Sequence, residues 1–449
     1  DKGGCMKSKG YQKHMEKKKM LAGKRIAGID PAKEKHQAAV LNEEGIQMGR
    51  SFSFPVSHEG YSEKLWKEIG KILGDYGTED LAFAVETSCA LWKTLTDYLS
   101  QRGYTVLMVN PLTTYHSRPL MNHDFSKTDP KDALLIATNA RNGNYTVYQN
   151  FTPEINKLHR LSITYDKLTK DRQKAIARLR AFMEEVFPEF LNCIPVDIET
   201  SLYLLDQYFL PEHFRSLSVH EEELNVRRIS NGNHGTETLK KLKEYAQKSI
   251  GSSVHGEEDA LRLTLDIWIM QVRQSGSGLA AIAKAIIELA RKTEYFEILT
   301  SLKGISDISD ARFIGECRDL SLYAHYKQIE KHAWANLRLM DSGKYHGARR
   351  ISGIGNKRLL KLIYLMTTQT ARFIPEVRIK FIKRQLKKKC YRKNIIASSS
   401  QLLKLLMALI KERRPYAFRE EAAQELEKLE MKYSEIQNTQ KKEAVRKAA

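Results

Sequence analysis

Leu81-Ala82-Phe83-Ala84-Val85 is apolar without a break and ends on Glu86. A short run of this kind fits a strand buried on both faces at the centre of a sheet. Working outward, Lys24-Arg25-Ile26-Ala27-Gly28-Ile29-Asp30 is a second short β-type run that closes on an acid. Gln37 to Leu41 reads as the next strand, and Asn42-Glu43-Glu44-Gly45 as turn chemistry. Ile46, Met48, Phe52 and Phe54 then alternate along a third strand. On the other side of the central run lie a helix from Leu91 to Arg102, a buried strand from Thr105 to Val109, and a helix opening near Asp129. A helix over Glu59 to Leu73 joins the meander to the central strand.

The order βββ-α-β-α-β-α is that of an α/β RNase H-like (RuvC-like) domain, expected over residues 24–150. From about residue 155 the period changes. Leu158, Tyr165, Leu179 and Val186 are spaced in sevens with Arg172 filling the gap, and Leu161, Leu168, Ala175 and Phe182 form a second seam. Leu265, Val272, Leu279 and Ile286 repeat the pattern, with Trp268, Ile282 and Leu289 alongside. This is coiled-coil spacing, and such helices need partners, either each other or another protomer. Residues 151–297 are therefore expected as a long coiled-coil helical middle with a part in oligomerisation. Residues 298–416, short helices broken by glycines, are expected as a mainly α carboxy-terminal domain. Residues 417–449 are expected as a charged tail, helical from Arg419 to Lys432 and frayed beyond.

Charge narrows the partners. The 449 residues carry 74 Lys and Arg against 54 Asp and Glu, a formal charge of +20. That balance points to a polyanion, most often nucleic acid. Residues 1–23 are expected as a flexible basic arm, and Arg378 to Lys393 holds nine basic residues and no acid. Within that run Lys383, Arg384, Lys387, Lys388, Lys389, Arg392 and Lys393, interleaved with Phe381 and Tyr391, suit a nucleic-acid backbone with occasional base stacking. The longest apolar run, Leu402 to Ile410, is broken by Lys404, which excludes a membrane span. Five scattered cysteines form no CxxC pair, so neither a disulfide framework nor a zinc knuckle is expected, and a reducing cytosol fits. The opening residues lack the apolar core of a signal peptide, and Asp1 to Cys5, ahead of Met6, read as an upstream remnant.

Four acids carry the candidate chemistry. Asp30 and Glu86 end strands that are neighbours in this fold, and Asp129 and Asp132, three apart at a helix start, share a face. Carboxylates gathered at one spot repel unless cations lie between them, and Mg2+ prefers oxygen donors. The bland alternative for the helix start is capping: Asp129 as N-cap, Pro130 at the first helical position and Asp132 in the first turn.

Ile26-Ala27-Gly28-Ile29-Asp30, Val85-Glu86-Thr87-Ser88, Val109-Asn110-Pro111 and Lys127-Thr128-Asp129-Pro130-Lys131-Asp132-Ala133 resemble the amino-terminal DEDD domain of the Piv/MooV-like insertion-sequence transposases, the bridge-RNA-guided serine recombinases. The second half is similar too: Leu302-Lys303-Gly304-Ile305 with Gly315-Glu316-Cys317, then Asp341-Ser342-Gly343, then Gly355-Asn356-Lys357-Arg358-Leu359-Leu360. The sequence departs from the family's usual pattern with Ala335-Asn336-Leu337 before the serine and with Leu360 after the Gly-Asn pair. The resemblance implies a DNA transposase in which Asp30, Glu86, Asp129 and Asp132 bind Mg2+ and Ser342 is the nucleophile. It further implies donor and target double-stranded DNA, a structured guide RNA, a dimer or tetramer, and a prokaryotic cytoplasm at the nucleoid. Gly304 reads equally as a close-approach point for a phosphate and as a helix-ending glycine. Two other readings of the same residues stay open: a metal-dependent nuclease or junction resolvase in which Ser342 is a turn residue, and a non-catalytic nucleic-acid-binding scaffold.

Overall fold

The computed structural model describes residues 9–88, 90–122, 128–252, 256–333, 337–338, 341–342, 345–346, 350–351, 355–387 and 390–448. They divide into two compact units, 1–150 and 151–449.

The first unit is a six-stranded sheet. Its strands are β1 (Arg25–Asp30), β2 (Lys35–Leu41), β3 (Gln47–Pro55), β4 (Leu81–Glu86), β5 (Thr105–Val109) and β6 (Thr146–Val147), in the order β3-β2-β1-β4-β5-β6. β1, β4 and β5 are parallel, with Ile29 beside Val85 and Glu86 beside Val109. The meander β1-β2-β3 is antiparallel, as is the edge pair β5-β6. This order is consistent with the RNase H-like domain expected from sequence. The pleat explains the unbroken apolar run. Leu81, Phe83 and Val85 face α2 (Leu65–Leu73) and α3 (Trp92–Gln101), while Ala82 and Ala84 face α6 (Asp129–Arg141). Two short helices, α4 (Pro111–Ser117) and α5 (Pro119–Asn122), lie between β5 and α6.

The amino-terminal segment differs from a flexible arm over the residues described. Lys9–Met20 form helix α1, and Leu21 is fully buried in the core on the α6 side of the sheet. The Tyr145 hydroxyl donates to the Lys17 carbonyl at 2.8 Å, and Arg141 donates to the Leu21 carbonyl at 2.7 Å. One apolar anchor and two long-range hydrogen bonds outweigh the repulsion of a basic helix.

The second unit is built on two long helices, α7 (Pro153–Val186) and α13 (Glu258–Ala290). At 1.5 Å per residue each spans about 50 Å. They pack on each other in opposite directions. Leu158 shares one core with Ile286 and Ala290, and Leu179 and Val186 share another with Leu265 and Val272. Five short helices between them, α8 (Phe190–Cys193) to α12 (Thr236–Gln247), close the second core around Phe187, Phe190 and Phe214. The stretch between the cores is polar and thin: Ser162, Asp166 and Ser275 are buried there, and Gly278 lies against Leu168.

The first core of this unit is closed by α14 (Phe296–Thr300), α15 (Asp307–Cys317), α16 (Tyr326–His332), α17 (Lys357–Phe373), α18 (Pro375–Gln385) and α19 (Tyr391–Glu412). Helix α20 runs from Glu420 to Ala448, past the Lys432 stop expected from sequence, and seats Leu426, Leu429 and Tyr433 on the same core. No helix among the described residues is long and apolar enough to cross a membrane.

Candidate active site

The acids at the end of the sheet are set by the pleat. Ile26, Gly28 and Asp30 alternate onto the α6 face, as do Ala82, Ala84 and Glu86 on the neighbouring parallel strand. Gly28 fixes how close α6 comes. A Cβ built there would lie 2.3 Å from the Ala133 carbonyl oxygen and 2.6 Å from the Ala137 nitrogen. The first turns of α6 therefore rest directly on the β1 backbone, which sets Asp132 beside the end of the strand that carries Asp30.

The helix starts one residue earlier than the capping alternative requires. Thr128 is the N-cap, without a side-chain hydrogen bond, and Asp129 is the first helical residue, exposed. Asp132 is buried in the same first turn. Asp30 and Glu86 are half-buried.

The residue that sequence reasoning missed here is Arg118. Its guanidinium forks onto Asp132, Nε donating to Oδ1 at 3.0 Å and Nη2 to Oδ2 at 3.0 Å. The Asp132 side chain is 4% exposed and that of Arg118 17%. The hydrogen bonds to Asp132 hold the Arg118 pKa above its ordinary value, with further contributions from the charges of Asp132, Glu86 and Asp30. Of the four predicted acids, Asp132 contacts the guanidinium directly, and the charges of Glu86 and Asp30 reach it through space. Arg118 is delivered by α4, whose N-cap Asn110 accepts from the Leu112 nitrogen at 2.9 Å and whose Ser117 hydroxyl donates to Asn139 on α6 at 2.9 Å. The Asn110-Pro111 pair was the available signal for α4, since Asn at an N-cap followed by Pro opens helices.

Ser342 belongs to the second unit and its side chain lies outside the described residues, as do Gly343, Gly353, Ile354, Lys388, Lys389 and Lys127. Asp341–Ser342 pair antiparallel with Tyr345–His346, inside a second pair formed by Leu337–Arg338 and Arg350–Ile351. The ends of this segment are pinned together. The Asn356 nitrogen donates to the His332 carbonyl at 2.7 Å, and Asn356 caps α17 by accepting from the Arg358 and Leu359 nitrogens.

Glu316 on α15, buried, ties the cap in place. It accepts from Asn356 at 2.7 Å, from Arg358 at 2.9 and 3.1 Å, and from Ser162 on α7 at 3.0 Å. Burial works to raise the Glu316 carboxyl, but these partners outweigh it and hold its pKa below the usual value. Asp166, one turn along α7, is ringed by Lys170, Arg312 and Lys361. Gly304 has φ +101°, and the ring of Phe373 fills the space where its Cβ would stand. The close approach seen there is to an aromatic ring.

The basic run is partly paired, which its own composition could not show. Arg378 meets Glu430 at 3.1 Å and Lys383 meets Glu425 at 2.5 Å, both acids coming from α20. Arg384 donates to Asn394 at 3.2 Å. Lys387, Arg392 and Lys393 are exposed.

Residues 27–188 match the model of the DEDD transposase domain of IS110 type, and residues 296–381 match the Transposase IS116/IS110/IS902 family model. The chain is 24% identical over 398 residues to the 44.8 kDa protein of insertion element IS116 from Streptomyces clavuligerus, covering 86% of this chain and 94% of that one. It is 23% identical over 401 residues to the 42 kDa protein of insertion element IS900 from Mycobacterium paratuberculosis, covering 87% and 96%. A DEDD transposase domain implies use of a divalent metal ion. The residues as arranged do not fit one: both oxygens of Asp132 are taken by Arg118, and among the described residues no group of three His, Cys, Asp or Glu is placed to hold an ion. The sheet that ends on Asp30 and Glu86 and the helices around the serine segment are thus similar, in that order, to the two transposase domain models of the IS110 type.

Proposed function

We propose that this protein is a Mg2+-dependent DNA transposase that breaks and rejoins strands through a covalent bond between Ser342 and DNA. It works as a homo-oligomer on donor and target double-stranded DNA, guided by a structured RNA, in the prokaryotic cytoplasm. The observation that carries this reading is that Asp30 and Glu86 end neighbouring parallel strands on the face where α6, with Asp132 in its first turn, rests on β1, within residues that match a DEDD transposase model. Mg2+ is the ion of choice because every donor in the set is a carboxylate oxygen. The serine reading is supported by the match of residues 296–381 to a transposase model and by the pinned ends of the segment that holds Ser342.

The chemistry is two transesterifications. The Ser342 oxygen bonds to a DNA phosphorus, one P–O bond breaks, the freed strand leaves as a hydroxyl, and the serine proton passes to solvent. A hydroxyl of a second strand then attacks the same phosphorus and releases the serine. Ser342→Ala removes one oxygen, so stability is expected to move by no more than about 0.5 kcal/mol. Denaturing electrophoresis with labelled DNA carrying the element's ends should show a shifted band for the wild type and none for Ser342→Ala. An alanine variant that still cuts, leaving free ends, would replace this reading with a metal-dependent nuclease.

The charge of +20 supports a polyanionic partner. Neutralising Lys387, Arg392 and Lys393 together should lower the salt dependence of nucleic-acid binding by about 0.7–0.9 in slope for each phosphate that is no longer neutralised. An unchanged slope in a filter-binding titration would remove this run from the interface.

A further inference from the structure

Helix α20 brings acids to the basic run in matched order. Arg378 pairs with Glu430 at 3.1 Å and Lys383 with Glu425 at 2.5 Å, so α18 and α20 run in opposite directions. Residues 420–435 hold six acids against two lysines, whereas residues 436–449 hold four basic residues against one acid. The acidic half is the one that meets the basic run. Leu426, Leu429 and Tyr433, at helical spacing, are the apolar seam that seats this half on the core. Glu425 and Glu430 flank the seam on its two sides, where interhelical ion pairs form beside an apolar stripe.

The seam and the ion pairs are separable. The side chains of Lys383 and Glu425 are each 52% exposed and that of Glu430 48%. Arg378 lines an open cleft of about 450 Å3 with Glu427, Glu430, Met431, Tyr433 and Ser434. An anion can therefore reach both cations without lifting α20 off the core.

We propose that α20 is an acidic mask on the basic run, in which Glu425 and Glu430 hold Lys383 and Arg378 until the phosphates of a DNA duplex displace them. The inference rests on the reading of Arg378 to Lys393 as a DNA surface. That surface then has an open part, the exposed Lys387, Arg392 and Lys393, and a masked part, Arg378 and Lys383. Carboxylate and phosphate make the same charge-assisted contacts to a guanidinium or an ammonium, so the two compete for the same donors. An exposed pair holds its cation by a factor of no more than about five. That is too little to keep out a duplex held at many other points, and enough to matter for one held by charge alone. Sequence-independent binding is almost wholly electrostatic. The mask therefore acts against indiscriminate contact with DNA more than against a substrate docked at its proper site.

The test is binding of the full chain to a labelled random-sequence DNA duplex, read by fluorescence anisotropy across a salt series. Glu425→Gln/Glu430→Gln keeps the size of both side chains and leaves the seam untouched. It should bind about three- to twentyfold more tightly than wild type at low salt. Glu420→Gln/Glu421→Gln changes the net charge equally, at exposed positions of α20 outside the two pairs, and should gain less than about twofold. Arg378→Gln/Lys383→Gln should weaken binding little in the wild type and remove most of the gain in the Glu425→Gln/Glu430→Gln background. The inference is overturned by equal binding of wild type and Glu425→Gln/Glu430→Gln, or by an equal gain from Glu420→Gln/Glu421→Gln. It is also overturned if Arg378→Gln/Lys383→Gln costs the same in both backgrounds. Neutralising Lys387, Arg392 and Lys393 separates the two readings. If that lowers affinity and salt slope while Glu425→Gln/Glu430→Gln matches wild type, the DNA surface stands and the mask falls. If it changes neither, the run is not a DNA surface and both readings fall.

Discussion

Asp132 and Glu316 are both buried acids on helices, and each is gripped by one arginine fork. Their surroundings differ in sign. Around Glu316 and Asp166 cations outnumber acids: two carboxylates meet Arg358, Arg312, Lys170 and Lys361, and Asn356 and Ser162 donate further hydrogen bonds to Glu316. Around Asp132 the partner is the Arg118 fork, and the charges of Glu86 and Asp30 act on the same guanidinium. A buried carboxylate whose oxygens are filled by cations and hydrogen-bond donors is a clamp, here one that holds the ends of the serine segment.

The comparison can be broken first at the sheet. Gly28→Ala puts a methyl group into the main chain of α6, at Ala133 and Ala137, where no side chain can turn aside to make room. It is expected to cost about 4 kcal/mol, above the usual 1–3 for overpacking, and to disperse the acids. Urea denaturation measures the first effect and loss of Mn2+ binding the second. A cost below about 1 kcal/mol would mean that α6 is not seated as described.

The clamp is broken by Glu316→Ala. That leaves Asn356 and Arg358 without their shared acceptor, at an expected cost of about 3 kcal/mol, the lower end for a buried pair because Arg358 is partly exposed and can regain water. Glu316→Gln keeps the hydrogen-bond acceptor and should lose about half as much. If alanine and glutamine cost the same in chemical denaturation, the charge and not the bonding geometry is what holds the cap.

The smallest expected effect sharpens the contrast from inside the helical unit. Asp310, fully buried on α15, has no hydrogen-bond partner for either oxygen among the described residues, and burial pushes its pKa up to about 8, with Asp307 adding to the shift. A carboxyl raised in the folded state stays protonated there while the unfolded chain ionises from about pH 4 upward. Its effect on stability is therefore absent at pH 4, grows unfavourable as pH rises, and levels off above about 8. Asp310→Asn should stabilise the protein by about 1–2 kcal/mol at pH 8 and by nothing measurable at pH 4. A melting curve series that shows the same gain at both values would assign the effect to packing.

Much of the sheet was legible because its strands are buried on one or both faces, and burial leaves a period in the sequence. β1 to β5 fall where apolar runs and alternation put them. β6 is two exposed residues, too short to carry a period, and α4 and α5 are too short to show a stripe. The heptads of α7 and α13 gave the face each turns to the other. They hid the second buried face of α7, where Ser162 and Asp166 meet α15 and α17, because polar residues at helical spacing read as solvent-facing. The partners of Arg378 and Lys383 lie 52 and 42 residues further along the chain, so a local count of acids saw none. Asp30, Glu86 and Asp132 were legible as acids at strand and helix ends. Arg118 was not, because a single arginine before a proline has no pattern, and its meaning comes only from the fold that brings it to Asp132.

The long hairpin of the second unit has a stiffness that varies along its length. Near its two ends Leu, Ile and Phe side chains lock α7 to α13. Midway, α13 runs through Gln274-Ser275-Gly276-Ser277-Gly278, and two glycines in a helix interior weaken it by about 1 kcal/mol each relative to alanine. With little apolar bulk between the rods at that level, the resistance to bending is lowest there. Strain applied to either end of the hairpin will concentrate at this waist, leaving both cores as rigid bodies that pivot about five residues.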